Sequence, residues 1–396
     1  MQDRKKILVL TPRFPYPVIG GDRLRIYYIC RELAKEYDLT LLSLCESREE
    51  MEMDIPLDGV FSKIERVMLP KWKSYLNCLF SLPTNTPLQV AYYSSQAFKK
   101  KVDELLSKHD LALAHLIRTG HYLRDFDTPK VLEMTDAISM NYERVGAIEK
   151  SSGFKNLVYS VEQDRLKKYE QSIAHYFDLS VFVSQVDKDY LYPKNSEVRN
   201  KVLVCSNGVS FDALPCNYQP DGKTIVFIGN MTTVQNLDAA RWFAKSVMPG
   251  LTKIGDYQFK VIGRIKEQVK NEFNRYANTI ATGSVDSVAE AAAGAITGVC
   301  PMRLGAGVQN KVLEYMALGM PAITSSVGLE GIEAEVGKEI LVADSVNEYI
   351  NMIQEITNNI KYAEEIGYKG NQFVLKENTW SGKLKPLIEK INKLVL

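Results

Sequence analysis

The sequence has few of the residues on which metal centres, disulfide frameworks and hydrolytic triads depend. It contains six cysteines, no Cys-x-x-Cys pair and only four histidines. None of the histidines is spaced to complete a zinc site with a pair of cysteines. We therefore interpret the cysteines as reduced thiols, and nothing in the sequence supports a metal centre or a Ser-His-Asp hydrolase.

An excess of one charge and long apolar segments are absent as well. Forty-nine basic and forty-eight acidic residues leave a formal net charge of +1, so the charge indicates no nucleic-acid partner. No apolar run reaches the length of a transmembrane helix, and the N-terminal MQDRKK leads into a strand-like segment without the apolar core of a signal peptide. We expect a soluble, cytoplasmic enzyme with two domains.

Apolar runs of strand length alternate with helical segments twice along the chain. The runs are at 6–11, 39–44, 111–115, 130–135, 179–183 and 201–205, and again at 224–229, 259–263, 295–300, 321–325 and 339–342. Continuous apolar strands suit parallel sheets that are covered on both faces, so the alternation predicts the α/β class. The proline- and glycine-containing segment 206–223 is typical of a linker. We predict two Rossmann-like domains that face a cleft.

The segment 301–321, PMRLGAGVQNKVLEYMALGMP, is the most informative part of the chain. Gly305 and Gly307 allow the backbone to pass close to a ligand, because glycine has no Cβ. The pattern predicts a helix that opens near Val308, whose free amide groups and dipole favour a bound anion. A Gly-x-Gly turn before a helix also has an ordinary structural interpretation, and that alternative stays open.

Two cations and one carboxylate accompany this turn. Arg303 and Lys311 bring positive charge to the predicted start of the helix, where a nucleotide diphosphate needs it. Glu314 lies on the first part of the helix, and its carboxylate can accept hydrogen bonds from the vicinal hydroxyls of a sugar. The same helix has an apolar face that belongs to the core. Together these side chains predict a nucleotide site.

Residues that suit a ligand also follow other strands of the second half. They are Gly229, Asn230 and Arg264, and Gly283 is assigned to the same site without a predicted strand before it. Ligands of α/β sheets bind outside the carboxyl ends of the strands, so we predict that these residues converge on the nucleotide site. For Asn230 ordinary capping is the favoured alternative, and for Arg264 a surface cation is equally favoured.

The first half offers a second set of polar groups at strand ends. Gly20 and Gly21 precede a helix and could cradle a phosphate or an acceptor, although a proline-stiffened turn fits them equally well. Arg118 follows another strand and is assigned to the same acceptor or phosphate site. Asp136 follows a third strand, where a helix cap is slightly favoured over catalysis. Of the arginines at positions 13, 23 and 25, we expect at least two to face solvent.

The segment 71–82 begins with two lysines and a tryptophan and continues with apolar residues. A helix of this composition could rest on a membrane surface near a lipid-linked acceptor. A helix that packs on the first domain is the favoured interpretation. The predicted location is therefore the cytoplasm, with peripheral contact at the inner face of the membrane as an option.

Three segments resemble the retaining GT-B glycosyltransferases of the large family 4 type, and the resemblance covers nearly the whole chain. The loop 11–21 resembles the glycine loop of the N-terminal domain. Residues 205–209, CSNGV, resemble the Pro-Asn-Gly-Val sequence with which the second domain starts. Residues 305–321 resemble the nucleotide-sugar segment. The chain is most similar to a subgroup of bacterial sugar transferases with TPRFPYP near the N-terminus.

The resemblance implies the GT-B architecture, with an acceptor-binding domain over 1–200, a nucleotide-sugar-binding domain over 201–375 and a C-terminal helix over 376–396 that crosses back. It implies that a sugar moves from a nucleotide diphospho-sugar, with retention at the anomeric carbon and without a metal ion or other cofactor. The acceptor would be a glycan, a lipid-linked molecule or a protein. The setting would be bacterial surface polysaccharide or glycoconjugate synthesis.

The resemblance also implies roles for individual residues. Arg303 and Lys311 would neutralise the diphosphate leaving group, and Asp136 is the catalytic candidate of the first domain. Glu314 would bind the ribose hydroxyls. Further contacts with the donor would come from Gly305, Gly307, Val308 and Asn310.

Three departures from the family pattern bear on these roles. Ala306 stands where the first of two motif glutamates is expected. Asn230 and Asn236 stand in the loop that usually carries an Arg and a Lys, and Thr135 replaces the common histidine before the aspartate. Two alternatives therefore stay open: a nucleotide-sugar 2-epimerase on the same fold, and a non-catalytic nucleotide-sugar-binding protein.

Overall fold

The computed structural model describes residues 4–18, 21–148, 154–209, 214–304 and 308–395. Backbone contacts divide the chain into a first unit, Met1–Ser206 with Leu384–Leu396, and a second unit, Asn207–Lys383. The sequence interpretation set the corresponding boundaries at 200 and 375.

The first unit is built on a parallel sheet. Its strands are β1 (Lys6–Thr11), β2 (Asp38–Cys45), β3 (Lys63–Met68), β4 (Leu111–His115), β5 (Lys130–Thr135), β6 (Leu179–Phe182) and β7 (Val202–Val204). They lie in the order β3-β2-β1-β4-β5-β6-β7. The apolar side chains of β1 and β4 are buried on both faces of the sheet, as the continuous apolar runs predict.

Helices connect these strands. They are α1 (Gly21–Leu33), α2 (Arg48–Glu52), α3 (Lys71–Ser81), α4 (Leu88–Tyr92), α5 (Gln96–Leu106), α6 (Ile117–Gly120), α7 (Ile138–Ile148), α8 (Phe154–Ile173) and α9 (Gln185–Leu191). Helix α3 packs on the first unit as the favoured interpretation predicts, but it does so through small and polar residues, and its large apolar side chains face solvent.

The second unit repeats the design. Its strands are β8 (Thr224–Ile228), β9 (Gln258–Ile262), β10 (Thr279–Gly283), β11 (Thr297–Cys300), β12 (Ala322–Thr324) and β13 (Leu341–Val342), in the order β10-β9-β8-β11-β12-β13. Its helices are α10 (Val234–Trp242), α11 (Met248–Leu251), α12 (Glu267–Phe273), α13 (Val288–Ala292), α14 (Asn310–Ala317), α15 (Val346–Asn358), α16 (Ile360–Glu377) and α17 (Trp380–Val395).

The strand order reverses next to the first strand of each unit. In the first unit β1 pairs with β2 on one side and with β4 on the other. In the second unit β8 pairs with β9 and with β11. Such a switch point opens a crevice at the carboxyl ends of the strands, where α/β proteins bind their ligands. Each unit therefore has one crevice, after β1 and β4 or after β8 and β11.

Two edge strands, β3 and β10, have no counterpart among the predicted strands. Both lie at the outer edge of their sheet. The side chains of β3 are half-buried or exposed, and β10 exposes 54% of Ile280. The continuous apolar run that identifies a strand covered on both faces is missing from such a strand, because part of its surface faces solvent.

Helix α14 begins at Asn310, two residues after the predicted start near Val308. Gln309 precedes it with an extended backbone, φ −85° and ψ 95°. Glu314 consequently lies about one turn into the helix, since a turn contains about 3.6 residues.

The CSNGV segment is held against the start of α17. A Cβ at Gly208 would lie 2.3 Å from the backbone nitrogen of Trp380, so a residue larger than glycine would clash there. The backbone N–H of Val209 donates to the carbonyl of Asn378 at 2.7 Å. Helix α17 then continues into residues of the first unit.

Candidate functional site

Three glycines line the carboxyl ends of β8, β9 and β10. The backbone N–H of Gly263 donates to the carbonyl of Gly283 at 3.0 Å, and a Cβ on Gly263 would lie only 2.2 Å from the carbonyl oxygen of Gly229. Gly263 has φ +129° and Gly283 has φ +90°, values that L side chains rarely adopt. No heavy atom of the described residues lies within 4 Å of a Cβ placed on Gly283. Gly263 therefore allows the ends of β8 and β9 to approach closely, whereas Gly283 leaves open space at the end of β10.

The loop after β8 uses its polar side chains internally. The Asn230 Oδ1 accepts hydrogen bonds from the backbone N–H of Thr232 at 3.0 Å and from its hydroxyl at 2.8 Å. These are the contacts of a turn-forming residue, the favoured alternative for Asn230. After β9, the Arg264 side chain is exposed.

Lys311 is the buried cation of this crevice. It lies in the first turn of α14 and is 8% exposed. Its ammonium group donates to the Oδ1 of Asn236 and to the Oε1 of Gln309, both at 3.0 Å, and lies 5.4 Å from the centre of the Phe227 ring. No described carboxylate lies within ion-pair distance of it. A buried charge held by neutral groups alone is costly, so an anion in the crevice would stabilise this arrangement.

Arg303 follows β11 and carries its own counter-ion. Its Nε and Nη2 donate to the Asp238 carboxylate at 3.1 and 2.5 Å. The two side chains are 43% and 21% exposed. Arg303 therefore differs from Lys311, because its charge is already compensated and largely solvated.

Glu314 stands one turn beyond Lys311 and is half-buried. Burial raises the pKa of its carboxyl group, while the nearby Lys311 lowers it. None of the described residues donates a hydrogen bond to its carboxylate. A carboxylate in this state favours a ligand that brings hydroxyl donors.

The remaining predicted residues of this segment are less informative. The Asn310 Oδ1 accepts a hydrogen bond from the Asn207 side chain at 2.8 Å, which ties the CSNGV segment to the start of α14. Val308 is half-buried. Gly305, Ala306 and Gly307 lie outside the described residues.

Tyr315 fixes α14 beside the switch point. Its hydroxyl accepts a hydrogen bond from the backbone N–H of Ile228 at 2.8 Å and donates to the carbonyl of Val299 at 3.2 Å. Its ring packs on Gly298, where a Cβ would lie 2.3 Å away. The helix that carries Lys311 and Glu314 is thus anchored to both strands of the crevice.

The crevice of the first unit contains two arginines around one tyrosine. The Nε and Nη2 of Arg118 donate to the Gln89 Oε1 at 3.1 and 2.7 Å, and burial lowers the pKa of Arg118. The Nε of Arg13 donates to the hydroxyl of Tyr93 at 2.8 Å. Its Nη1 lies 3.7 Å from the Asp22 carboxylate. Gly21 begins α1, and no atom of the described residues lies within 4 Å of a Cβ placed on it; Gly20 lies outside the described residues.

The helix-cap interpretation of Asp136 is wrong. Other carboxylates accept the free N–H groups at the start of α7: Asp187 accepts that of Ala137 at 2.8 Å, and Glu170 accepts that of Ile138 at 2.6 Å. No described residue donates a hydrogen bond to the Asp136 carboxylate. Burial and the neighbouring Asp187 raise the pKa of Asp136, so it is protonated at higher pH than an ordinary aspartate.

The expectation that two of the three N-terminal arginines face solvent is also wrong. The Arg25 side chain is 0% exposed and its Nε donates to Glu133 at 2.6 Å, while Arg23 is 23% exposed and pairs with Glu50 at 2.9 Å. Glu133 also bonds His115 at 2.7 Å. Burial acts to raise the pKa of Glu133, but Arg25 and His115 outweigh it and lower the pKa to about 2.

Several residues of the two crevices were not among the predicted site residues. Asn236, Gln309 and Gln89 hold the cations, and Asp238 pairs with Arg303. Neutral amides are common at helix starts; Asn236 stands out in the sequence only as a departure from the family pattern, and Gln309 only through its spacing to Lys311. Among the described residues, no group of three or more His, Cys, Asp or Glu side chains is arranged to hold a metal ion. None of the described helices combines the length and apolar character needed to cross a membrane.

Comparisons with known proteins show which proteins this chain is similar to. Residues 222–359 match the model of a family described as glycosyl transferases group 1. The chain is 23% identical to an uncharacterised 44.6 kDa protein from the cps region of Klebsiella pneumoniae, over 98% of this chain and 100% of that protein.

Solved structures are similar over nearly the whole chain. Sucrose-phosphate synthase from Thermosynechococcus elongatus has a TM-score of 0.73 and 15% identity, over 99% of both chains. HepE from Anabaena, solved in complex with UDP-glucose, has a TM-score of 0.67 and 13% identity, over 98% of this chain and 99% of that one. The predicted fold, two Rossmann-like α/β domains of the GT-B type, is confirmed.

Proposed function

We propose that this chain is a glycosyltransferase that binds a nucleotide diphospho-sugar in the crevice of its second unit and transfers the sugar to an acceptor. The observation that carries the proposal is Lys311, a buried ammonium group whose described hydrogen-bond partners are neutral. It stands on the first turn of a helix, after a glycine-containing segment, where an anion also gains from free amide groups. A diphosphate supplies the missing negative charge.

Lys311 would act on the leaving group. Breaking the bond between the anomeric carbon and the diphosphate leaves additional negative charge on the phosphate oxygen. A fixed cation in a partly dry crevice stabilises that charge more than water does, and the effect grows as the bond breaks. We propose that this cation serves in place of a metal ion, so that the reaction needs no cofactor.

Glu314 would hold the nucleoside end of the donor. Its half-buried carboxylate has no described donor, and two vicinal ribose hydroxyls can supply two hydrogen bonds. The open space beside Gly283 leaves room for part of the donor. Arg303 would assist by exchanging part of its bond with Asp238 for a phosphate oxygen.

The acceptor would bind in the crevice of the first unit. Arg13 and Arg118 have different hydrogen-bond and ion-pair partners. Arg13 lies within ion-pair distance of Asp22, whereas Arg118 donates to the neutral side chain of Gln89. An acceptor that carries a phosphate or several hydroxyls suits this set. Asp136 is the proposed catalytic side chain, because it follows β5 at the edge of this crevice and no described residue donates a hydrogen bond to its carboxylate.

The finer features of the proposal are retention at the anomeric carbon, a cytoplasmic location and a part in surface polysaccharide or glycoconjugate synthesis. The resemblance to the retaining family 4 enzymes supports the first. The relative from a cps region supports the last. The acceptor would be a glycan, a lipid-linked molecule or a protein.

A two-stage experiment tests the proposal. Thermal shift with UDP-, GDP-, ADP- and dTDP-sugars identifies the donor, and incubation of that donor with and without acceptor pools, in the presence and absence of EDTA, identifies the reaction. We expect transfer that requires an acceptor, tolerates EDTA and gives a product with the donor's anomeric configuration by NMR. Product formed from the donor alone would indicate an epimerase. Tight donor binding without any product would indicate a binding protein.

A further inference from the structure

Helix α3 exposes its apolar face to solvent. Five large side chains recur at the spacing of one helical face: Trp72, Tyr75, Leu76, Leu79 and Phe80, which are 60%, 65%, 42%, 58% and 72% exposed. Leu82, directly after the helix, is 49% exposed. We call these six residues the α3 stripe. Such a contiguous apolar surface is rare on a soluble monomer and marks a contact with something else.

Small and polar residues attach the helix to the first unit. Ser74 and Ser81 are buried, and the Asn77 side chain donates to the carbonyl of Ser94 at 2.8 Å. The polar face of α3 therefore packs on the protein and its apolar face points to solvent, the reverse of the usual arrangement of an amphipathic helix. Turning the stripe inward would require these polar contacts to break, so the stripe stays available on the folded protein.

The charge and the composition of α3 favour a lipid surface as the occupant. Lys71 and Lys73 stand at its first turn, the helix itself contains no acidic residue, and Lys73 lies 5.5 Å from the Trp72 ring. Lys71 has one distant carboxylate, that of Glu46 at 4.0 Å. Tryptophan and tyrosine prefer the level of the headgroups, and lysines beside them are attracted to anionic lipids.

Two other occupants suit the stripe less well. An interface between two α3 helices would offer the lysines of neither helix a carboxylate partner, because α3 contains no acidic residue. Insertion across the bilayer is excluded by length, since eleven residues of helix extend only about 16 Å. We propose that the α3 stripe docks the first unit on an anionic bilayer, with α3 lying in the plane of the interface.

The stripe is continuous with the crevice of the first unit. The rings of Tyr75 and Tyr92 are 5.8 Å apart, and those of Tyr92 and Tyr93 are 4.9 Å apart. The guanidinium carbons of Arg13 and Arg118 lie 5.9 and 5.3 Å from the centre of the Tyr93 ring. An acceptor anchored in the bilayer through a phosphate-linked lipid would reach the two arginines beside this path. This second step rests on the proposed function, whereas membrane docking does not.

Sedimentation with lipid vesicles tests the docking without any substrate. We expect the full chain to bind vesicles that contain phosphatidylglycerol and phosphatidylcholine, and Leu79→Ser/Phe80→Ser to lower the partition coefficient at least about tenfold. The matched control is Ile254→Ser/Tyr368→Ser, which changes two exposed apolar residues of the second unit (46% and 62% exposed) and should bind as the unmodified chain does. No binding by the unmodified chain, or equal binding by the α3 variant, overturns the proposal.

A charge variant tests the choice of lipid. Lys71→Gln/Lys73→Gln should weaken binding to the anionic vesicles several-fold and make the remaining binding less sensitive to salt. Lys99→Gln/Lys100→Gln removes two exposed lysines from α5 of the same unit and should have little effect. Equal weakening by both variants would show a general charge effect and would contradict a specific role for α3.

Fluorescence and light scattering supply the last readouts. Vesicles should shift the tryptophan emission to shorter wavelength, and Trp72→Phe should keep most of the binding but remove the shift. Light scattering without lipid should give the mass of one chain. A dimer that Leu79→Ser/Phe80→Ser converts to a monomer would assign the stripe to a second copy and would overturn membrane docking.

Discussion

Two buried cations, one in each unit, are held in opposite ways. Arg25 of the first unit is 0% exposed and pairs with the equally buried Glu133 at 2.6 Å. Lys311 of the second unit is 8% exposed and donates to the neutral side chains of Asn236 and Gln309. The first charge is compensated within the protein. The second lacks a described carboxylate partner and is available to an anionic ligand.

The comparison separates a structural cation from a functional one. Both cations lie near the switch point of a Rossmann-like sheet, so position alone does not distinguish them. The two cations differ in the group that each one contacts. A buried carboxylate neutralises Arg25, so that cation has a structural role. Neutral amides orient Lys311 without neutralising it, so its charge remains available to a ligand.

The largest effect is expected when the buried Arg25 loses the carboxylate of Glu133. Glu133→Gln should destabilise the protein by about 3–5 kcal/mol, because the buried Arg25 loses the negative charge that balances it. Denaturant unfolding of the full chain, followed by circular dichroism, measures the change. Glu272→Gln is the matched control: it removes the carboxylate from the exposed pair with Arg241 and should lower the stability by less than about 1 kcal/mol.

The same pair predicts a dependence on pH. The pKa of Glu133 is lowered to about 2 in the folded protein, below the ordinary value of about 4.3 for glutamate. The stabilisation by the ionised carboxylate is therefore present above the ordinary value and is lost as the pH falls toward 2. Glu133→Gln should lack this loss. A parallel decline of both proteins between pH 4 and 2 would contradict the assignment.

The cation with neutral partners should matter for turnover instead. Lys311→Ala should lower kcat about 10²- to 10³-fold, the usual effect of removing one donor to a developing negative charge. Steady-state kinetics with the identified donor measures the change in kcat. The free energy of unfolding should change little. A matched control is Lys338→Ala, which removes a half-exposed lysine paired with Glu335 in the same unit. Near-normal turnover of Lys311→Ala would contradict the role.

Glu314 should affect donor binding more than turnover. Glu314→Ala should raise the KM for the donor about ten- to a hundredfold, since it removes an ionised acceptor for two hydroxyls. Burial raises the pKa of Glu314, so its carboxylate becomes protonated at a higher pH than an ordinary glutamate. The KM should therefore begin to rise at that higher pH as the solution is acidified. Glu314→Gln should show a flat pH profile. A profile shared by both proteins would assign the titration to another group.

Arg303 should have the smallest effect of the four, because Asp238 already compensates its exposed charge. Arg303→Ala should lower kcat/KM by about tenfold or less. Arg241→Ala removes a similar exposed pair, with bonds of 3.0 and 2.5 Å to Glu272, and should leave the kinetics unchanged. An effect of Arg303→Ala as large as that of Lys311→Ala would remove the distinction between compensated and uncompensated cations.

Much of the fold can be predicted from the sequence because central strands of a parallel sheet are buried on both faces. β4 and β5 begin and end at the predicted residues for this reason. The edge strands β3 and β10 have partly exposed side chains and no such signal. The exposed face of α3 also could not be predicted, because apolar residues at helical spacing normally indicate the core.

The candidate site is less predictable because charge compensation depends on residues far apart in the sequence. Arg303 and Lys311 look equivalent in the segment 301–321. Asp238, 65 positions away from Arg303, separates their roles in the structure. The same holds for Asp136, whose capping role is excluded only by Asp187 and Glu170.

Titration of the identified nucleotide diphospho-sugar into the unmodified chain and into Lys311→Ala, by isothermal calorimetry, tests the central claim most directly. We expect saturable binding to the unmodified chain, and affinity reduced at least about tenfold in Lys311→Ala because the diphosphate loses its buried cation. Equal affinity in both proteins would contradict the claim that Lys311 is the cation of an anion site.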